Sequence, residues 1–133
     1  MNKAAIRDRA GGRCEYCRDP EWLSLAAFHA EHIISRKCGG GDADDNMALA
    51  CPDCNLAKGP NIAALDPESR ELTRLFHPRR DSWTEHFQIT GTSIQGCTPV
   101  GRTVTVRLLD LNATPRLKHR ALLQALGEWE VKA

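Results

Sequence analysis

Residues 28–58 read FHAEHIISRKCGGGDADDNMALACPDCNLAK. The stretch holds a Glu31-His32 pair, three consecutive glycines before an acidic run, a lone Asn46, and CPDCN ending on Asn55. A further Cys pair, Cys14 and Cys17 in CEYC, stands upstream. Leu25 to Ile34 contains good β formers in Phe28, Ile33 and Ile34 and is expected as a strand. Gly39 to Asp45 breaks the pattern as a loop. Asn46 to Ala50 is expected as a short extended segment. A helix then runs from about Asp53 through Asn55 to Lys58, closed by Gly59-Pro60. The order strand, loop, short strand, helix, with cysteines at its edges, makes this an α+β unit.

The cysteines decide how such a unit is held. Cys14, Cys17, Cys51 and Cys54 form CxxC-x33-CxxC. Paired CxxC motifs in a chain expected to be cytoplasmic read as metal ligands rather than disulfides. Four thiolates suit tetrahedral zinc, and a closed four-coordinate site is structural. The competing assignment, a redox CxxC, expects a βαβ setting that neither pair has. Zinc at this position ties the N-terminal knuckle to the start of the Asn55 helix. Cys38 is expected as a loop thiol and Cys97 as a small core residue.

At 133 residues the chain is about one domain long, a size at which a metal staple is a common aid to stability. Ala4, Ala5 and Ile6 are too few for a signal peptide, and no apolar run is long enough to span a membrane; a cytoplasmic protein is the default. The formal charge is only +1, which argues against affinity for nucleic acid by net charge alone. Local groups are left to supply phosphate contacts: Arg36-Lys37, Arg79-Arg80, and Arg116, Lys118 and Arg120, with Lys58 a further candidate.

Around the central stretch, Asn2 to Ala10 is expected as a helix ended by Gly11-Gly12. Asp66-Pro67-Glu68 has the chemistry of a helix start, with Leu72, Leu75 and Phe76 on one face. Trp83 to Ile89 and Thr92 to Gln95 are expected to form a hairpin around Thr90-Gly91. Thr98-Pro99 opens a helix carrying Val100, Val104, Leu108 and Leu111. Thr114-Pro115 opens the last helix, with Leu117, Leu122, Leu126 and Trp129 inward. The expected organisation is a core over residues 1–62 and a helical, short-hairpin extension over 63–133 packed upon it.

Glu31, His32, Asn46 and Asn55 are not needed by a zinc ion already ligated by four thiolates. Cleavage of a phosphodiester needs a group that makes water nucleophilic, charge stabilisation at the phosphoryl oxygens, and help for the departing oxygen. A neutral His suits the first near pH 7. One divalent ion supplies the other two, and Glu and Asn oxygens favour hard ions such as Mg2+ or Mn2+. Asp42, Asp44 and Asn46 mimic the start of a calcium loop, but Met47 and Asp53 stand where that loop needs Gly and Glu.

CEYC followed by HAEHIISRKCGGGDADDNMALACPDCNLAKG resembles the HNH endonuclease family with its ββα-metal fold. The spacing His32-x13-Asn46-x8-Asn55 is that of the variant ending in Asn, and the four cysteines are those of the zinc-bearing members. The resemblance implies His32 as general base, Asn46 as the residue that orients it and shapes the loop, and Glu31 and Asn55 as ligands of a catalytic Mg2+ or Mn2+. Members more often carry Asp where this chain has Glu31. The resemblance covers roughly residues 4–61, and the tail is similar to that of small standalone bacterial members. It implies cleavage of DNA, double-stranded above all, to 5′-phosphate and 3′-hydroxyl ends. Double-strand cutting requires two sites to meet, so a homodimer is a partner this reading allows. The rival is a zinc-stapled nucleic-acid- or protein-binding module without catalysis.

Overall fold

A computed structural model describes residues 1–130; the end of the expected extension, 131–133, lies outside them. α1 (Lys3–Arg9) starts at Asn2, whose side chain accepts from the Ala5 amide, and buries Ile6. Gly11 and Gly12 then turn the chain with positive φ values of 64° and 71°, which glycine adopts without penalty. β1 (His29–His32) and β2 (Met47–Ala50) pair antiparallel, with Glu31 opposite Ala48 and His32 opposite Met47. α2 (Pro52–Lys58) follows at once, with Pro52 in its first turn. Strand, strand and helix come in the expected order. The first strand is shorter than Leu25 to Ile34, because Leu25 is fully exposed and the chain becomes extended only at His29.

Among the described residues the extension contributes two hairpins and three helical segments. β3 (Ala63–Leu65) pairs with β4 (Leu72–Arg74). This replaces the helix expected after Asp66. Asp66 does cap a turn, accepting from the Glu68 and Ser69 amides and the Ser69 hydroxyl. Its buried carboxylate is also gripped by Arg102 through Nε at 3.1 Å and Nη2 at 2.8 Å. Arg70 then takes a left-handed conformation, φ 65°, which stops a helix and returns the chain as a strand. α3 (Trp83–His86) is a single helical turn leading into β5 (Phe87–Thr90), which pairs with β6 (Ser93–Gly96) across Gly91. The hairpin is where it was expected, with Trp83 to His86 helical rather than extended. α4 (Pro99–Thr103) continues into a wide turn through Leu108 and buries Val104 and Leu108, with Leu111 buried just beyond.

α5 (Thr114–Ala125) has the expected span but a different buried face. Leu122 and Leu126 are each 61% exposed, and the buried positions are Arg116, Arg120 and Leu123. Arg120 donates to the Leu111 and Thr92 carbonyls at 2.8 and 2.7 Å, and Arg116 to the Leu109 carbonyl at 3.0 Å. Arg116, Arg120 and Leu123, rather than Leu122 and Leu126, therefore define the inward face of this helix. A single apolar cluster joins Ile6, Tyr16, Phe28, Ile33 and Leu49 of the first half to Phe76, Trp83, Phe87, Leu111, Leu123 and Trp129 of the second. Three indole donors stitch the halves: Trp83 Nε1 to the Tyr16 carbonyl at 2.8 Å, Trp129 Nε1 to the Cys17 carbonyl at 3.1 Å, and, nearer the surface, Trp22 Nε1 to Glu128 Oε2 at 3.3 Å. Cys97 is exposed rather than in the core, and Cys38 is exposed as expected. Among the described residues no helix is long and apolar enough to cross a membrane.

Candidate functional site

The knuckle Cys14–Cys17 and the N-terminal end of α2 bring four buried thiols together, with all four sulfurs within 4.8 Å of one another. Cys51 precedes α2 and its sulfur accepts from the Cys54 amide. The Cys14 sulfur likewise faces the Cys17 amide. A tetrahedron of zinc–sulfur bonds of about 2.3 Å has edges of about 3.8 Å, and Cys17 Sγ lies 3.7 Å from Cys51 Sγ. The donor set and its spacing therefore fit a structural zinc ion.

Four thiolates around one zinc carry a net charge of about −2, which burial makes costly unless opposed. Arg116, on α5, opposes it. Its Nη2 lies 3.1 Å from Cys54 Sγ and 3.8 Å from Cys51 Sγ. Burial works against the guanidinium charge, and Cys54, Cys17 and Cys51 more than offset that, so the group is held more firmly protonated than usual. The expected phosphate contacts of Arg116 and Arg120 are thereby overturned, since both are buried and bonded inward; nothing in the sequence marked Arg116 for the thiols, because its partner is 62 residues away.

On the other side of α2 lies an open cleft of about 360 Å³, lined by His29, Glu31, His32, Arg36 and Asn55 among others. It unites Glu31, His32 and Asn55, three of the four residues singled out beside the thiols. His32 Nε2 pairs with Asp42 Oδ1 at 2.7 Å, and Arg36 Nη2 reaches the same oxygen at 2.9 Å. Asp42, read from sequence only as part of a rejected calcium loop, is thus the partner of the candidate base. Arg36 holds its carboxyl below the usual range alongside His32, which is the larger influence.

Asn46, the fourth residue, is buried, and its side chain bonds to backbone groups rather than to the imidazole. Its Oδ1 accepts from the Ile34 amide at 2.9 Å, and its Nδ2 donates to the Ile34 and Gly41 carbonyls at 3.0 and 2.8 Å. These bonds close the loop between β1 and β2 and hold Gly41, the neighbour of Asp42. Asn46 shapes the loop directly and reaches His32 through Asp42. Gly40 makes this closure feasible, since a Cβ there would lie 1.8 Å from the Ile34 oxygen.

Glu31 is only 8% exposed. Its Oε1 accepts from the Tyr16 hydroxyl, and its Oε2 lies 3.2 Å from Lys58 Nζ. Burial raises its carboxyl above the usual range, with Lys58 and the Tyr16 hydroxyl pulling the other way. Burial and the Glu31 charge push the Tyr16 phenol well upward, so it stands as a donor. Lys58 is 1% exposed and donates to the His32 carbonyl at 3.0 Å. The expected phosphate contact for Lys58 is therefore overturned: its ammonium is committed inward. Arg36 and Lys37 remain exposed beside the cleft. A carboxylate with unused lone pairs and an amide on one cleft fit a hard divalent ion. Neither Tyr16 nor Lys58 was visible as a partner of Glu31 in the sequence, though a Tyr inside CEYC next to two ligands was a place to look.

No curated protein and no solved structure matches the chain. Residues 14–61 match the family model described as HNH endonuclease. That span opens on the first thiol of the cluster, takes in both strands of the cleft, and closes just past α2. The ββα unit and the thiol cluster that braces it thus make up the part of this chain, residues 14–61, that matches the HNH endonuclease family model.

Proposed function

We propose that this domain is a metal-dependent endonuclease hydrolysing DNA phosphodiester bonds to 5′-phosphate and 3′-hydroxyl ends. The observation that carries the reading is the convergence of Glu31, His32 and Asn55 on one open cleft with Arg36 at its side. With Nε2 engaged by Asp42, His32 has Nδ1 left to take a proton from water as that water attacks phosphorus. Asp42 favours the tautomer that leaves Nδ1 unprotonated and steadies the imidazolium that follows. Glu31 and Asn55 are the residues that would hold Mg2+ or Mn2+, which when bound would supply Lewis-acid charge at the phosphoryl and departing oxygens. Arg36 and Lys37 contact the flanking phosphates. The substrate is double-stranded DNA, and two copies of the chain meeting as a homodimer would cut both strands.

The test is supercoiled plasmid incubated with the zinc-loaded protein and Mg2+, Mn2+ or EDTA. Nicked or linear products are expected only with metal, and His32→Ala is expected to lower the rate by about 100-fold or more. Full cleavage by His32→Ala would sink the mechanism. One observation favours a second reading, a binding module without catalysis: both Glu31 oxygens already have protein partners. A gel shift without cleavage in any metal selects that reading.

A further inference from the structure

We infer that Tyr16, a residue of the cysteine knuckle, is a positioning residue for the divalent-metal site and holds the Glu31 carboxylate in its ligating orientation. The inference rests on the reading of Glu31 as a metal ligand. Tyr16 lies between two thiol ligands, Cys14 and Cys17, and is fully buried. Its backbone carbonyl is fixed by Trp83, and its hydroxyl donates to Glu31 Oε1. The ring thus spans from the knuckle to the wall of the cleft. A buried phenol keeps its hydroxyl satisfied, and here Glu31 is the group that does so.

The geometry gives this contact a purpose beyond satisfying the phenol. Glu is one methylene longer than Asp and has one more rotor to restrain. Tyr16 takes one carboxylate oxygen and Lys58 the other. Each oxygen has two lone pairs, so a lone pair on each stays open for a metal while the carboxylate plane is pinned. Lys58 also holds the His32 carbonyl at 3.0 Å, so one short network fixes Glu31 and the backbone of its neighbour. Partners that orient a ligating carboxylate are worth about 10- to 100-fold in metal affinity.

Tyr16→Phe removes the hydroxyl and keeps the ring. In the zinc-loaded full chain we expect Mn2+ affinity, read by calorimetry and by Mn2+ paramagnetic resonance, to fall about tenfold or more, with zinc content unchanged. Unchanged Mn2+ affinity in a variant that retains zinc overturns the proposal. A second measurement needs no substitution, because Tyr16 is the single tyrosine of the chain. Titrating Mg2+ into the wild-type protein is expected to shift the tyrosine ring resonances in an NMR spectrum; resonances that stay still up to saturating Mg2+ also overturn it. Failure of the endonuclease reading looks different. Tyr16-dependent Mn2+ binding without plasmid cleavage removes the nuclease and leaves Tyr16 in its role, whereas metal-dependent cleavage with wild-type Mn2+ binding in Tyr16→Phe does the reverse.

Discussion

Replacing Arg116 by Met tests whether α5 serves the thiol cluster electrostatically. Met fills much of the arginine volume and removes the charge and both donors. Arg116 is 9% exposed, donates to the Leu109 carbonyl at 3.0 Å, and places Nη2 at 3.1 Å from Cys54 Sγ. A hydrogen bond to a charged partner contributes about 1.5–3 kcal/mol net. The direct Coulomb attraction at such distances is about 4 kcal/mol at an effective dielectric near 20, before the cost of burying the guanidinium. A net loss of about 2 kcal/mol falls on the zinc-loaded state, equivalent to roughly 30-fold in zinc affinity. The assay is zinc transfer to a chromophoric chelator, read as both rate and equilibrium, on protein whose fold is followed by circular dichroism. Arg116→Lys keeps the charge but loses the fork, and an intermediate affinity is expected. Arg116→Met releasing zinc at the wild-type rate and equilibrium would refute the reasoning.

Two further outcomes follow from the same geometry. Cys54→Ser is expected to unfold the domain, since structural zinc contributes about 10–16 kcal/mol in small domains, comparable to the whole stability of a typical domain; a soluble variant whose melting curve is unchanged after chelation contradicts a structural zinc. The Asp66–Arg102 fork predicts an acid-sensitive component of stability. Arg102, with Ser69 and two amides, holds the Asp66 carboxyl well below its usual range. A depressed folded value means stability fully present above the unfolded pKa of about 3.9 and lost as pH falls through the lower folded value. Asp66→Asn is expected to melt lower than wild type at neutral pH and to show a shallower loss below about pH 4, measured by thermal melts across pH; an identical acid slope in the two proteins rules the ion pair out as its source.

The parts of the fold legible in the sequence are those set by local chemistry. CxxC spacing announces a metal knuckle because two thiolates two residues apart meet only if the backbone curls. The Gly39–Gly41 run announces the loop because a Cβ at Gly40 would strike the Ile34 oxygen. Glu31, His32 and Asn55 were legible as a set for the same reason: strand, loop and helix between them are short. What was hidden depends on distant partners. Asp66 has the chemistry of a helix cap and uses it, but Arg102, 36 residues later, claims the same carboxylate and the chain turns back as a strand. Leu122 and Leu126 carry the apolar signal in α5, but Arg116 and Arg120 win the interior because the surface they face offers thiols and carbonyl oxygens. Lys58 was assigned to phosphate as a surface cation, and its burial against Glu31 was invisible for the same reason.

The two candidate metal sites differ in what they need from an ion. The thiol cluster is closed and buried, and without zinc its sulfurs leave Arg116 facing no compensating anion of fixed position. Removal of a zinc ion from the cluster is expected to free the knuckle, and with it the Tyr16 ring that reaches Glu31. The cleft has the opposite character. Glu31 is braced by Tyr16 and Lys58, and Asn46 closes the loop that presents Asp42 to His32 through protein partners alone. Protein partners alone thus hold the carboxylate, the imidazole and the loop of the cleft in place, as a site of precise geometry requires. The two sites are therefore coupled through shared pieces: Tyr16 and α2 brace the cleft from the thiol side, while Glu31 in turn satisfies the Tyr16 hydroxyl and the Lys58 ammonium at the end of α2.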